Sequence, residues 1–167
     1  QKVHHLPLFL PDEQFHLSGA DQGYILFFGK LDPIKGIIHL IEAARQAPGA
    51  HLVLAGRADE ALLAELPALL PANVDYVGVK HGQELADLVE NARVVVLPSI
   101  WYENQPFSIL ESFARGKAVI ASDLGGMSEL VGQDERGVLT PPGDSTRLGR
   151  AMETLLSDPQ LCRAKGE

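Results

Sequence analysis

An α/β fold built on a doubly wound parallel sheet is what this sequence predicts, and three observations lead to it. Short, near-continuous runs of Val, Ile and Leu recur along the chain, the pattern of strands buried on both faces. Segments of helical period lie between them. The two kinds alternate almost strictly, which implies right-handed crossovers between parallel strands.

Taken in order, residues 1–20 contain Pro7 and Pro11 and are expected to hold a strand and a linker. Residues 24–28 form the first strong strand. Asp32 can then cap a helix with Pro33 in its first position and Ile34, Ile37, Ile38 and Ile41 along one face. Strands at 51–55, 74–77, 94–97 and 118–121 follow, with a shorter one at 138–139. Helices are expected near 60–70, interrupted by Pro67, and at 83–92, 106–115 and 145–156. Gly116 stands just past Arg115, where a helix-ending glycine belongs. Residues 21–160 therefore make one domain, followed by a polar tail at 161–167.

The chain's 167 residues are 46% hydrophobic and 22% charged, with a net charge of −8. That length suits one ordinary domain, and the apolar fraction excludes disorder. No apolar run reaches the roughly 18 residues of a membrane-spanning helix, and the N-terminus lacks a signal-peptide plan. A single cysteine, Cys162, excludes an internal disulfide framework and fits a reducing compartment. The acidic balance argues against duplex nucleic acid as a partner. Any anionic ligand needs a local positive site. Because the chain starts at Gln1 and ends in a polar stretch, it is expected to be a piece of something longer.

Ligands of such sheets sit beyond the carboxyl ends of the strands, so the loops there matter most. After the first strand comes Gly29-Lys30-Leu31-Asp32-Pro33-Ile34-Lys35-Gly36. Gly29 lets backbone approach a ligand, and Lys30 and Lys35 beside a helix start make a phosphate cradle. Two solvated lysines beside a capped helix would show the same spacing.

The segment from Trp101 to Glu111 is more specific. At roughly 100° per residue, Phe107, Leu110, Phe113 and Ala114 fall on the buried arc, with Glu111 at its edge. A carboxylate there needs donors, from the protein or from ligand hydroxyls. Glu103 precedes the helix, where amides of Phe107, Ser108 and Ile109 can hold an anion. Equally, Glu103 can simply favour the positive helix end, and Glu111 can pair with Arg115. A glycosidase-type carboxylate pair is disfavoured, since eight helical residues span about 12 Å and such pairs sit within about 10 Å. A third loop, Ser122-Asp123-Leu124-Gly125-Gly126-Met127-Ser128-Glu129, is either a plain turn or a close backbone approach to a ligand, with Glu129 as a hydroxyl acceptor.

There is no Asp-x-Asp, no G-x-G-x-x-G, no G-x-x-x-x-G-K-[ST], no H-E-x-x-H and no G-x-S-x-G. His4, His5, His16, His39, His51 and His81 show no metal-ligand spacing. Cys162 has no evident catalytic partner.

These features together resemble the donor half of a retaining glycosyltransferase of family 4, over residues 20–160. The resemblance rests on the E-x7-E motif from Glu103 to Glu111, on the run from Leu110 to Gly126, and on the loop from Gly29 to Gly36. Leu97-Pro98-Ser99 and Gly137-Val138-Leu139 with Pro142-Gly143-Asp144 add to it. It implies a Rossmann-like domain, one half of a GT-B fold. Lys35 and Lys30 would bind the donor diphosphate, Lys30 standing where the family usually has Arg. Glu103 would contact the donor sugar, and Glu111 the ribose hydroxyls. Backbone around Gly29, Phe107, Ser108 and Ile109 would approach the diphosphate, and Gly78 and Val79 would border the base. Asn104, Gln105 and Pro106 replace the family's small glycines after Glu103.

The implied reaction moves a sugar from a nucleotide-sugar to an acceptor hydroxyl with retention, without a metal or other cofactor. UDP-sugars are expected over GDP-mannose, and cell-surface polysaccharide or glycolipid synthesis is the expected setting. The acceptor-binding half is missing, so this chain alone is expected to be inactive. A cytoplasmic site is expected, peripheral to the inner membrane face and touching it only through the missing half. A non-catalytic nucleotide-sugar-binding module and a ligand-free scaffold domain are the alternatives.

Overall fold

Six short apolar runs become strands, and all of them run parallel. The computed structural model describes residues 9–12, 15–132 and 136–166. The strands are β1 Ile25–Phe28, β2 Leu52–Ala55, β3 Val74–Tyr76, β4 Val94–Leu97, β5 Ala118–Ser122 and β6 Gly137–Thr140. Their order is β3-β2-β1-β4-β5-β6. Every residue of β1, β2, β4 and β5 is buried, as expected of strands covered on both faces. The chain winds outward from β1 in one direction and then, from β4, in the other. Loops leaving β1 and β4 therefore diverge and open a crevice between them.

The helices are α1 Ile37–Gln46, α2 Glu60–Leu69, α3 Gly82–Asn91, α4 Phe107–Phe113, α5 Gly126–Val131, α6 Ser145–Ser157 and α7 Pro159–Gly166. Asp59 and Asp144 cap α2 and α6 by accepting from Leu62 N and Arg147 N. A Cβ on Gly149 would lie 3.0 Å from Ala43 O, so the glycine lets α6 lie close on α1.

Three expectations need correction. The helix expected from Pro33 does not start there. Asp32 caps a 3₁₀ turn, Pro33–Lys35, and Gly36 then turns left-handed at φ 76° before α1 begins. A Cβ on Gly36 would meet Pro98 O at 1.9 Å, so contact with the β4 loop overrides the helical pattern. Ile34 and Ile38 are accordingly exposed, while Ile37 and Ile41 are buried. The buried arc of α4 is also rotated: Ile109, Ser112 and Ala114 are buried and Phe107 is exposed. Residues 161–167 are no tail as far as Gly166. Leu161 to Gly166 belong to α7, which packs on β5 and buries Cys162. The strand expected within residues 1–20 falls largely on residues 1–8 and 13–14, which lie outside the described residues; residues 9–12 and 15–20 are in no strand.

At the amino edge, the buried Lys117 donates to Ala20 O at 2.8 Å and Ser18 O at 3.4 Å. Arg93 Nε pairs with Asp21 Oδ2 at 2.9 Å. Burial pushes the Lys117 ammonium below its usual range. These bonds fasten residues 18–21 to the sheet. Among the described residues, no helix is long and apolar enough to cross a membrane.

Candidate functional site

Glycines end three neighbouring strands at the carboxyl edge: Gly29 after β1, Gly56 after β2 and Gly78 after β3, all with positive φ. Gly29 N donates to Ala55 O, and Gly56 N to Gly78 O. A Cβ on Gly56 would stand 1.7 Å from Gly29 O. The result is a shelf of bare backbone, bordered by a cleft of about 420 Å³. Phe28, Lys30, Arg57, Val79, Lys80 and His81 are among its lining residues. Gly29, Lys30 and Val79 thus line one cleft.

Arg57, Lys80 and His81 were not singled out by the sequence. The signal was present as a repeat: Phe28-Gly29-Lys30 and Ala55-Gly56-Arg57 each place a cation one residue beyond a strand-ending glycine. Lys80 follows Gly78 by two.

Lys35 and Glu103 meet at the crevice between the β1 and β4 loops, where they form an ion pair. They are 68 residues apart in sequence, and both are largely shielded from solvent. Lys30 turns away from this pair to Asp32, at 2.5 Å. The Lys30 ammonium, with the Ile34 amide, holds the Asp32 carboxyl below the usual range. The two lysines therefore do not converge; each is neutralised by its own carboxylate.

Beneath the pair lies Ser99, with no exposed surface. Its Oγ is 3.1 Å from Glu103 Oε1, 3.1 Å from Ile34 O and 3.2 Å from Trp101 O. It also accepts from Trp101 N at 3.3 Å. The neighbouring main chains are in close contact too. Gly126 N donates to Glu103 O at 2.9 Å, and a Cβ on Gly126 would lie 1.6 Å from Asn104 O. Gly126 is therefore required for the β5 loop to lie on the Glu103 loop, so the close backbone approach here is to the protein itself. Tyr102, Asn104, Gln105 and Glu129 help line a second cleft there, of about 440 Å³.

Helix α4 starts at Phe107 without a side-chain cap. Ile109 N already donates to Pro106 O at 3.1 Å, so of the three expected amide donors, those of Phe107 and Ser108 are the ones left at this end. Glu111 is half-buried, and its carboxylate makes no ion pair among the described residues. Arg115 Nη1 donates instead to the Glu111 main-chain oxygen at 3.0 Å. Burial raises the Glu111 pKa above the usual carboxylate range, with the Arg115 charge opposing it. Among the described residues, no three His, Cys, Asp or Glu side chains gather to hold a metal ion.

A six-stranded parallel sheet in this order, with polar residues converging where its winding reverses, defines a Rossmann-like α/β domain. The family profile of glycosyl transferases group 1 matches residues 11–167, and the chain belongs to that family. It is 34% identical to an uncharacterized glycosyltransferase of Methanocaldococcus jannaschii, over 83% of this chain and 37% of that protein. It is 32% identical to an alpha-maltose-1-phosphate synthase of Mycolicibacterium smegmatis, over 85% and 41%. In structure it matches a sucrose-phosphate synthase from Thermosynechococcus elongatus at a TM-score of 0.84 and 30% identity, covering 96% of this chain and 45% of that one. It also matches Anabaena HepE in complex with UDP, at 0.83 and 25% identity, covering 95% and 49%. These neighbours are GT-B glycosyltransferases, and the fold here is that of one GT-B domain. The chain spans less than half the length of each of these relatives.

Proposed function

We propose that this chain is the donor-binding domain of a retaining glycosyltransferase, which moves a hexose from a nucleotide-sugar to an acceptor hydroxyl without a metal ion. The observation that carries the reading is the meeting of Lys35 and Glu103 at the crevice where the sheet reverses its winding. One side chain suits a diphosphate and the other suits sugar hydroxyls. The adjoining cleft supplies Lys30, Arg57, Lys80 and His81, so the anion site is local within a chain of net charge −8. In this reading, Lys35 and Lys30 stabilise the departing diphosphate. The amides of Phe107 and Ser108 add donors to it. Glu103 accepts from the sugar and Glu111 from the ribose diol, Gly29 lets backbone approach the diphosphate, and Gly78 and Val79 border the base.

A UDP-sugar is the preferred donor, supported by the UDP held by the HepE neighbour. Cell-surface polysaccharide or glycolipid synthesis is the proposed setting, on the cytoplasmic side. The acceptor site belongs to a second domain, as the coverage of the longer relatives supports, so this chain alone turns over slowly or not at all. Calorimetry with UDP, GDP, UDP-glucose, UDP-N-acetylglucosamine and GDP-mannose tests the reading. Binding of UDP and one UDP-sugar is expected. If none of the five binds, the reading fails.

A further inference from the structure

We propose that Ser99 is a positioning residue whose hydroxyl takes hold of the Glu103 carboxylate when a bound diphosphate draws Lys35 away. The proposal rests on the donor-binding reading above and concerns a residue to which that reading gives no role.

Ser99 has fewer protons to give than acceptors within reach. A serine hydroxyl has one to donate, yet three acceptors lie within 3.2 Å of Ser99 Oγ: Glu103 Oε1, Ile34 O and Trp101 O. The fourth contact, from Trp101 N, uses a lone pair of the hydroxyl and fixes where the oxygen sits. Rotation about one bond therefore selects the acceptor without moving any heavy atom.

As the two side chains stand, Lys35 neutralises Glu103 Oε1. The hydroxyl proton is then free to serve Ile34 O, the carbonyl next to Lys35. That carbonyl has a second donor, Ile100 N at 3.0 Å, so it loses little if the hydroxyl turns away. Once Lys35 binds a diphosphate, Glu103 is left as an anion with low solvent access. The carboxylate then becomes the strongest acceptor within reach of the hydroxyl, because charge-assisted bonds are about twice as strong as neutral ones. Ser99 turns to it and holds one carboxylate oxygen, leaving the other for a sugar hydroxyl.

The site is built for this exchange. Ser99 is wholly buried at the end of β4, and Gly36 allows the Lys35 turn to lie against Pro98 O. Nucleoside diphosphate binding and sugar recognition are thereby coupled through one hydroxyl.

The coupling separates two affinities that a merely structural serine would change together. With the UDP-sugar the wild-type chain binds best of UDP-glucose and UDP-N-acetylglucosamine, Ser99→Ala is expected to weaken the nucleotide-sugar about tenfold, or about 1.4 kcal/mol. UDP itself should stay within twofold, and Ser99→Thr, which keeps the hydroxyl, should restore the sugar increment. Equal loss for UDP and UDP-sugar overturns the proposal, as does no loss for either. An unstable alanine variant is covered by the threonine variant: if Ser99→Thr folds and binds UDP normally yet loses the sugar increment, the hydroxyl is not the operative group. Glu103→Ala distinguishes the two levels. If that variant keeps the full sugar increment, the role given to Glu103 fails; if it loses the increment while Ser99→Ala keeps it, only the Ser99 proposal falls.

Discussion

Substituting Gly126 with alanine tests the link between the β5 loop and the loop that carries Glu103. The new Cβ would stand 1.6 Å from Asn104 O and 2.6 Å from Asn104 C, both main-chain atoms that no rotamer change can clear. Since real Cβ atoms essentially never approach within 3.0 Å, the two segments must separate by about 1.4 Å. That movement stretches the 2.9 Å bond from Gly126 N to Glu103 O out of bonding range. Overpacking costs about 1–3 kcal/mol and the lost bond about 1 kcal/mol, so a destabilisation of about 2–4 kcal/mol is expected by urea unfolding. Gly49→Ala is the control, because nothing lies within 4 Å of its Cβ position. A control value within about 0.5 kcal/mol of wild type is expected. Because Glu103 moves with its loop, nucleotide-sugar affinity should also fall in whatever fraction remains folded. A Gly126→Ala protein as stable as Gly49→Ala would refute the contact and with it the packing account of this loop.

Three further outcomes are expected. Glu111→Gln, measured without added nucleotide, should be as stable as wild type or more so at pH 7. The native Glu111 pKa is raised above 4.5, so its contribution is fully present below that value and is lost as pH rises through the native one; unfolding curves from pH 4 to 7 should flatten in the variant. Arg57→Ala, at the cleft beside the glycine shelf, should weaken UDP about three- to tenfold by calorimetry and reduce the salt dependence of binding, with little change in stability. Lys117→Ala removes the donor to Ala20 O and Ser18 O and should cost about 1–2 kcal/mol in urea unfolding.

The parts of this fold that were legible in the sequence are those governed by burial on two faces. Val94 to Leu97 are apolar throughout and every one is buried, as a strand covered by helices on both sides of the sheet requires. Local period failed where a distant backbone decides. Ile34, Ile37, Ile38 and Ile41 keep helical spacing, yet Gly36 turns left-handed because Pro98 lies against it, a contact 62 residues away along the chain. The rotation of α4 has a similar origin. A helix of seven residues is oriented by whatever packs on it, and Ile109 and Ser112 won the inward positions over Phe107. Polar partners were the least legible. Glu103 and Lys35 were each named, but their pairing depends on the order of the sheet, and Ser99 matters only because the β1 loop meets the β4 loop over it. Arg57 could have been found from its place after a strand-ending glycine; Gly126 showed its purpose only through the backbone it touches.

The burial of Cys162 has a practical consequence for anyone studying the molecule in solution. It is the chain's one cysteine, its Sγ lies 2.9 Å from Leu155 O, and burial pushes the thiol up to about 11. Alkylating reagents attack the thiolate, so at neutral pH they should pass this residue by while the last helix stays docked. A fluorophore or spin label can then be attached at one engineered surface cysteine without first removing the native one. Conversely, slow modification of the untouched protein becomes a clock for how often that helix lifts from the sheet.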